Sequence, residues 1–533
     1  MFTPKKQPNN STAEKKEDIP VPVALALMGG VVVLLVCLNP PDLSKLYQEN
    51  FTTIWQSVAF IGFAVLAAIL WAINYFTREA KSKFTLLSPY LEKDAGVFVG
   101  STTDGDALYL PDDARTEHVQ IIGATGRGKT ESVILPWLMR DLVRGRSAVL
   151  IDGKGELQLA ERIKNLSASM ASRPQVYVFH LSDPKQSVVI NPLAGGSPQQ
   201  ITDRLFSAFT FGDPYWRSVQ YDLCRDMVTL IHEVDENCKG NRDVTFRRLH
   251  ELLTEKRALI DAVEWSTDLP LRSSMGRLLC LAPKDRDQHT RGLVSQLAPF
   301  AVGEVASLVN GDESEGHAKN VNVSDLVLGK VPEIDPNRPV VLVVLIPTLK
   351  YQALGHQLGK LILQELAWAI GARSDAKSGA KPFLPVYLDE FSAFIYQEFA
   401  QTLNKARSAN VGLHLAHQSM GDLELASPEF ATMVNTNTNV KCLLGLNDPV
   451  TAEFFARHMG TATEEKRTER AQSGPWGWLK RTGELSLRSV EAYKVHPNQL
   501  KNFSKGEGVI HFPTPQGNIT ECVSFARLGV AEL

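Results

Sequence analysis

The segment Gly123-Ala124-Thr125-Gly126-Arg127-Gly128-Lys129-Thr130 matches G-x-x-x-x-G-K-[ST], a spacing that constrains both fold and ligand. Its glycines let backbone N–H groups close around phosphate oxygens. Lys129 is placed to reach the β- and γ-phosphates, and the Thr130 hydroxyl to ligate Mg²⁺. The flanks suit this reading. His118-Val-Gln-Ile-Ile122 is a short apolar run that reads as a strand, and Glu131 to Leu142 has helical apolar spacing, with Pro136 expected to kink it. Strand, glycine loop and helix N-terminus together make a phosphate site.

The chain of 533 residues has room for two or three domains. Its hydrophobic content of 44% and charged content of 22% are those of an ordinary folded protein. A net charge of −3 carries no global sign of nucleic-acid binding, although a basic pore lining can sit inside a balanced protein. The six cysteines form no C-x-x-C pair, so the pattern suggests neither a zinc site nor a disulfide framework.

Two apolar stretches, 21–38 and 54–76, each have about the ~20 residues that cross a hydrocarbon core. The loop between them has Lys45 as its only basic residue, whereas Lys5, Lys6, Lys15, Lys16, Arg78, Lys81 and Lys83 lie outside the pair. The charge bias predicts a multi-pass membrane anchor with both termini cytoplasmic. The poor cleavage site Cys-Leu-Asn-Pro-Pro and the second stretch argue against a signal peptide.

The expected organisation is therefore a cytoplasmic N-terminus and anchor over 1–80 and the first part of a nucleotide-binding domain over 81–197. An all-α insertion over 198–335 and the second part of the nucleotide domain over 336–533 follow. Strand texture marks Ser147–Ile151, Val176–Phe179, Val188–Leu193, Pro339–Ile346 and Phe383–Leu388, and helical patterns dominate from about Gln199 to Gly303. Thr461 to Thr482, charged and rich in Gly, Pro and Trp, is expected to be a mobile loop.

A phosphate loop needs an acid at the end of a neighbouring strand. Leu388-Asp389-Glu390 supplies Asp389 to orient Mg²⁺ and Glu390 as the general base for water. The strand Val411–Ala416 ends at His417-Gln418, where Gln418 is placed to sense the γ-phosphate; taken alone it is a plain strand-end residue. Arg407, just upstream, reads by itself as a solvated helix-end arginine, and a guanidinium inserted from a neighbouring subunit is the functional alternative.

With these residues in order, the chain resembles the type IV secretion coupling proteins, the TraD/TraG-type ATPases of bacterial conjugation. Arg115 to Thr130 is similar to the family's opening strand and loop. Asp152-Gly-Lys-Gly-Glu156 is similar to its D-P-K-G-E motif and Asn191-Pro-Leu193 to its N-P-L motif. Tyr387-Leu-Asp-Glu-Phe391, Ala416-His-Gln-Ser419, Asn447–Glu453 and Val495–Leu500 fit the remaining segments.

The resemblance implies an α/β, RecA-like P-loop NTPase domain with an all-α insertion, preceded by two transmembrane helices in the bacterial cell inner membrane and assembling as a homo-hexamer. It implies ATP and Mg²⁺ as cofactors, with Lys129 and Thr130 binding them, Asp389 orienting metal, Glu390 activating water and Gln418 sensing phosphate. Arg407 falls where the family's trans-acting arginine lies. The implied partners are single-stranded DNA with its relaxase or relaxosome, and the components of a type IV secretion channel. Arg127 departs from the usual Ser, at a position expected to contribute only backbone, and Gly153 replaces the usual Pro. The long acidic tail that some relatives use to dock substrates has no counterpart here, which leaves cargo selection open. The rival readings are a protein-exporting secretion ATPase, a double-stranded DNA translocase of the FtsK/HerA type, and a non-catalytic membrane adaptor.

Overall fold

The computed structural model describes residues 62–67, 69–71, 96–238, 244–311, 319–331, 335, 338–376, 381–473 and 479–528. The chain divides into two compact units, Met1–Pro89 and Tyr90–Leu533. In the first, residues 62–67 and 69–71 are helical, with Phe63, Leu66, Leu70 and Trp71 all more than half exposed. The expected span 21–38, and most of 54–76, lie outside the described residues. Among the described residues no helix is long and apolar enough to cross a membrane.

The second unit is built on an 11-stranded sheet. Its strands are β1 (Val97–Thr102), β2 (Ala107–Leu110), β3 (Val119–Ile122), β4 (Ala148–Asp152), β5 (Gln175–His180), β6 (Val340–Leu345), β7 (Leu384–Asp389), β8 (Val411–His417) and β9 (Val440–Leu444). A separate antiparallel hairpin pairs β10 (Thr461–Ser473) with β11 (Leu479–Tyr493), and β12 (Glu507–Thr514) and β13 (Gly517–Phe525) return to the main sheet. The sheet order is β2-β1-β13-β12-β9-β3-β8-β7-β4-β6-β5. From β9 to β5 every pairing is parallel. From β12 outwards it is antiparallel.

Composition follows this division. β3, β4, β6, β7, β8 and β9 are buried at every position, as strands covered on both faces must be, and Val340-Val-Leu-Val-Val-Leu345 has no polar side to offer water. β13, in the antiparallel part of the sheet, mixes exposed and buried positions.

Between β5 and β6 the chain is helical: Pro198–Ala208, Pro214–Cys238, Phe246–Thr254, Lys256–Trp265, Leu269–Cys280, Pro283–Ala301, Ala306–Val309 and Val323–Leu328. Phe300 stacks on Phe246 at 4.9 Å and on Phe209 at 6.0 Å at the centre of this packing. The strand-like run Val188–Leu193 contributes one bridge, Val189 to Asn320, because Asn191 turns its hydrogen bonds elsewhere. Its N–H donates to Asn322 Oδ1 (2.8 Å), its Nδ2 to the Val244 carbonyl (2.9 Å), and its Oδ1 accepts from Leu193 N–H (3.1 Å).

Two expectations need correction. Within Thr461–Thr482, whose residues 474–478 lie outside the described residues, the described part is strand rather than loop: β10 and β11 pair from Thr461↔Tyr493 to Ser473↔Leu479, so the backbone bonds are met across strands despite the charged sequence. Pro136 does not sit midway along one α-helix. The turn after the phosphate loop is a π-helix over Lys129–Ile134 that runs on into an α-helix from Leu135, so Pro136 marks a change of helix type.

Candidate functional site

Sheet register gathers the site at one edge. Ile122 is level with His417 and Leu443, and Asp152 with Asp389 and Leu345. The C-terminal ends of β3, β8, β7 and β4 therefore open onto the same surface. Gly123 to Thr130 turns there, and Gly128 holds φ +99°, a left-handed conformation that glycine adopts without penalty. Lys129 Nζ donates to the Gly123 carbonyl at 2.7 Å, folding the lysine back over its own loop. Burial lowers the Lys129 pKa, against the opposing pull of Glu390 and Asp389. The Thr130 hydroxyl donates to Asp389 Oδ2 at 2.5 Å.

Asp389 ends β7 with 1% exposure, and Glu390 follows in a left-handed conformation, φ 50° and ψ 46°. That conformation costs a non-glycine residue about 1–2 kcal/mol, and it swings the carboxylate across the sheet edge. Glu390 is held on both sides: Lys154 Nζ lies 3.1 Å from Oε1, and Gln418 Nε2 donates to Oε2 at 3.3 Å. Because β8 lies between β3 and β7, Gln418 also meets the loop, its Oε1 accepting from the Thr125 hydroxyl at 3.0 Å. Asp422 Oδ2 accepts from the backbone N–H groups of Gln418 (2.8 Å) and Ser419 (3.0 Å), which fixes the strand end.

Asp152 faces Asp389 across the β4–β7 register and accepts from the N–H groups of Lys154 (3.2 Å) and Gly155 (2.9 Å). Desolvation raises both carboxyl pKa values, and the Asp389 charge raises Asp152 further. Lys154 is held above its usual value: burial lowers it, but the Asp389 and Glu390 carboxylates more than offset that. A cavity of about 260 Å³ opens over these groups, lined by residues including Gly126, Lys129, Thr130, Asp152, Asp389 and Lys505. Hydroxyl and carboxylate oxygens are the ligands Mg²⁺ takes, and loop N–H groups beside Lys129 suit a phosphate chain. Thr130 and Asp389 would hold the metal, and Gly123, Ala124, Thr125, Gly126, Arg127, Gly128 and Lys129 the phosphates.

Two buried polar networks brace this edge. Arg115 makes paired 2.7 Å bonds to Asp141, donates to Tyr387 Oη (2.7 Å), and donates from Nε to His414 Nε2 (3.0 Å). His414 must then carry its proton on Nδ1, which donates to the Val386 carbonyl (3.1 Å), and its pKa is driven well below normal by burial and then by Arg115. In the second network Lys441 Nζ donates to Gln120 Oε1 (2.7 Å), Thr438 Oγ1 (2.8 Å) and the Asn435 carbonyl (2.8 Å). Gln120 Nε2 donates to His417 Nε2 (2.9 Å), directly behind Gln418.

Lys129, Thr130, Asp389, Glu390 and Gln418 thus converge, whereas Arg407 does not join them. It caps the helix Ala400–Ala406 before β8, with its side chain 64% exposed and paired to Glu117 at 3.2 Å. At ~3.3 Å per residue, β8 separates it from Gln418 by roughly 20 Å. Arg127 also differs from expectation, because its side chain is engaged: Nη1 donates to the Phe503 carbonyl at 3.1 Å. The sequence reading assigned no role to Asp152, Lys154, Asp422 or Lys505. Asp152 and Lys154 lie in a quoted motif, but only the adjacency of β4 and β7 brings them to the acid pair.

Two family models match the chain. One, described as "Type IV secretory system Conjugative DNA transfer", covers residues 77–204, and the other, "TraM recognition site of TraD and TraG", covers 384–503. The Legionella pneumophila protein "Type 4 coupling protein DotL" is 24% identical over 422 residues, 70% of this chain; the chain spans 53% of that relative's length. Among solved structures, the bacterial conjugative coupling protein TrwBdeltaN70 aligns with a TM-score of 0.56 at 16% identity, covering 84% of this chain and 92% of that one. TrwB in complex with ADP and Mg²⁺ aligns with the same TM-score at 15% identity, covering 84% and 93%. VirB4 of Thermoanaerobacter pseudethanolicus gives 0.51 at 15% identity, covering 83% and 99%. These structural likenesses speak for the fold.

Proposed function

We propose that this chain, which matches coupling-protein family models over residues 77–204 and 384–503, is a membrane-anchored ATPase. In this reading it assembles as a hexamer and delivers single-stranded DNA, with its attached relaxase, into a type IV secretion channel. The observation that carries the motor reading is the convergence of Lys129, Thr130, Asp389, Glu390 and Gln418 on one cavity. Bound Mg²⁺ supplies charge neutralisation of the phosphates. Lys129 and the loop N–H groups bind and orient the phosphate chain. Glu390, clamped between Lys154 and Gln418, takes the proton from the attacking water. Gln418 touches both Glu390 and Thr125, so it links the base to the loop.

The membrane reading rests on the two apolar stretches and on the exposed Phe63, Leu66, Leu70 and Trp71; it puts both termini and the ATPase in the cytoplasm. Arg407, remote from its own site, suits a donor to a neighbour's site. The test is ATPase activity of the full chain with and without single-stranded DNA, beside Lys129→Ala. DNA-stimulated hydrolysis lost in Lys129→Ala is expected, as is loss of DNA transfer with membrane location retained. Persistent transfer in that variant sinks the motor reading. Stimulation by protein cargo alone would move the assignment to a protein exporter.

A further inference from the structure

The phosphate loop is tied to the C-terminal part of the chain through Arg127. Gly506 N–H donates to the Arg127 carbonyl at 3.1 Å, and Arg127 Nη1 donates to the Phe503 carbonyl at 3.1 Å. The turn between these contacts is fixed from behind. Gly506 accepts from Phe525 N–H at 2.8 Å, Arg527 donates to the Lys505 carbonyl, and Glu507 accepts from Ser504 N–H at 3.1 Å. Gly506 takes φ +85°, and a Cβ there would meet Arg527 Nη2 at 3.0 Å and Ser132 Oγ at 3.2 Å, so this seam admits only glycine comfortably.

The consequence falls on Lys505. It sits between the anchored residues Ser504 and Gly506, is exposed, and is one of the residues that line the nucleotide cavity. Other cations of that lining are engaged: Lys154 with Glu390, Arg162 with Glu131, and Lys129 with the Gly123 carbonyl. Lys505 has no ion-pair partner among the described residues. It precedes β12, so it approaches from the β9–β12 flank, while Asp389 and Glu390 approach from the β8–β7 flank. The acid pair marks where the metal and the terminal phosphate lie. A cation on the other flank meets the nucleotide at its opposite end of the phosphate chain.

We propose that Lys505, positioned by Arg127, is a nucleotide-binding residue that contacts the part of the phosphate chain common to ATP and ADP. This rests on the ATPase reading. Charge-assisted bonds to phosphate are the strong class, yet this one lies at an open rim, so its effect is on affinity and is screened by salt.

The test is calorimetric titration of the detergent-solubilised full chain with Mg²⁺-ADP. Lys505→Ala and Arg127→Ser should each weaken ADP binding about tenfold. The double variant should be no weaker than either single, since one contact is lost in all three. Lys505→Arg should keep wild-type affinity, and the salt dependence of ADP binding should flatten in Lys505→Ala. ADP affinity unchanged in both Lys505→Ala and Lys505→Gln overturns the proposal, and full additivity in the double variant overturns the role of Arg127. If the wild-type chain binds no nucleotide, or Lys129→Ala binds it equally, the ATPase reading itself has failed.

Discussion

The Thr130 hydroxyl donates to the Asp389 carboxylate at 2.5 Å, joining residues 259 positions apart in sequence. This contact places the loop hydroxyl and the strand-end acid on one side of the cavity, where both oxygens can face the same cation. Thr130→Ala should raise the Mg²⁺ concentration for half-maximal ATPase by about tenfold or more, a scale that loss of even an outer partner reaches. A Mg²⁺ titration of initial rates checks this, and an unchanged midpoint removes Thr130 from the metal site.

Glu390 is held by Lys154 at 3.1 Å and Gln418 at 3.3 Å, so its substitution separates binding from chemistry. Glu390→Gln should reduce kcat by about 10² or more while Mg²⁺-ATP still binds. Single-turnover assays beside equilibrium binding distinguish this from collapse of the site, in which both would be lost.

Arg407 pairs with Glu117 in a largely exposed position, so Arg407→Ala should change stability by less than ~1 kcal/mol. Its effect on hydrolysis is a separate matter. Mixing Arg407→Ala subunits with Glu390→Gln subunits should partly restore hydrolysis if the guanidinium acts on a neighbour's site. No restoration at any mixing ratio counts against action in trans.

The Arg115–Asp141 pair is fully buried, with both side chains at 0% exposure, and is shared with Tyr387 and His414. Asp141→Ala leaves the buried guanidinium with Asp112, at 3.3 Å, as its remaining carboxylate partner and should cost about 3 kcal/mol. Denaturant titration measures it; a loss under ~1 kcal/mol would mean that water replaces the carboxylate.

Lys441 gives the pH dependence a sign. Burial lowers its pKa from 10.5 to about 7. Between those values the unfolded chain binds a proton that the folded chain has released, so stability rises with pH. The cost of burying the charged form is fully present below pH 7. Relative to Lys441→Met, wild-type stability should climb by roughly 1 kcal/mol per pH unit from 7 upwards. Urea titrations between pH 7 and 9.5 test this, and parallel curves would show that Gln120, Thr438 and Asn435 hold the ammonium charged throughout.

Much of the site was legible because its chemistry is local. A phosphate cradle is made by contiguous residues, Gly123 to Thr130, and the runs that became β3, β7 and β8 are buried on both faces and mostly apolar, broken only by polar residues such as Gln120 and His414. The hairpin β10–β11 was misread because its sequence is charged and rich in Gly, Pro and Trp, whereas its backbone is satisfied across one partner strand.

The sequence by itself determined the ligand class, the order of the nucleotide motifs and the apolar stretches near the N-terminus, because each depends on residues adjacent in the chain. Only the tertiary structure decided which acids share an edge, since the order β3-β8-β7-β4 is a matter of strand pairing. That order sets Gln418 between loop and base, and draws Asp152 and Lys154 to the acid pair. It also decided that Arg127 grips Phe503 and that Lys505 lines the cavity, contacts between segments about 380 residues apart.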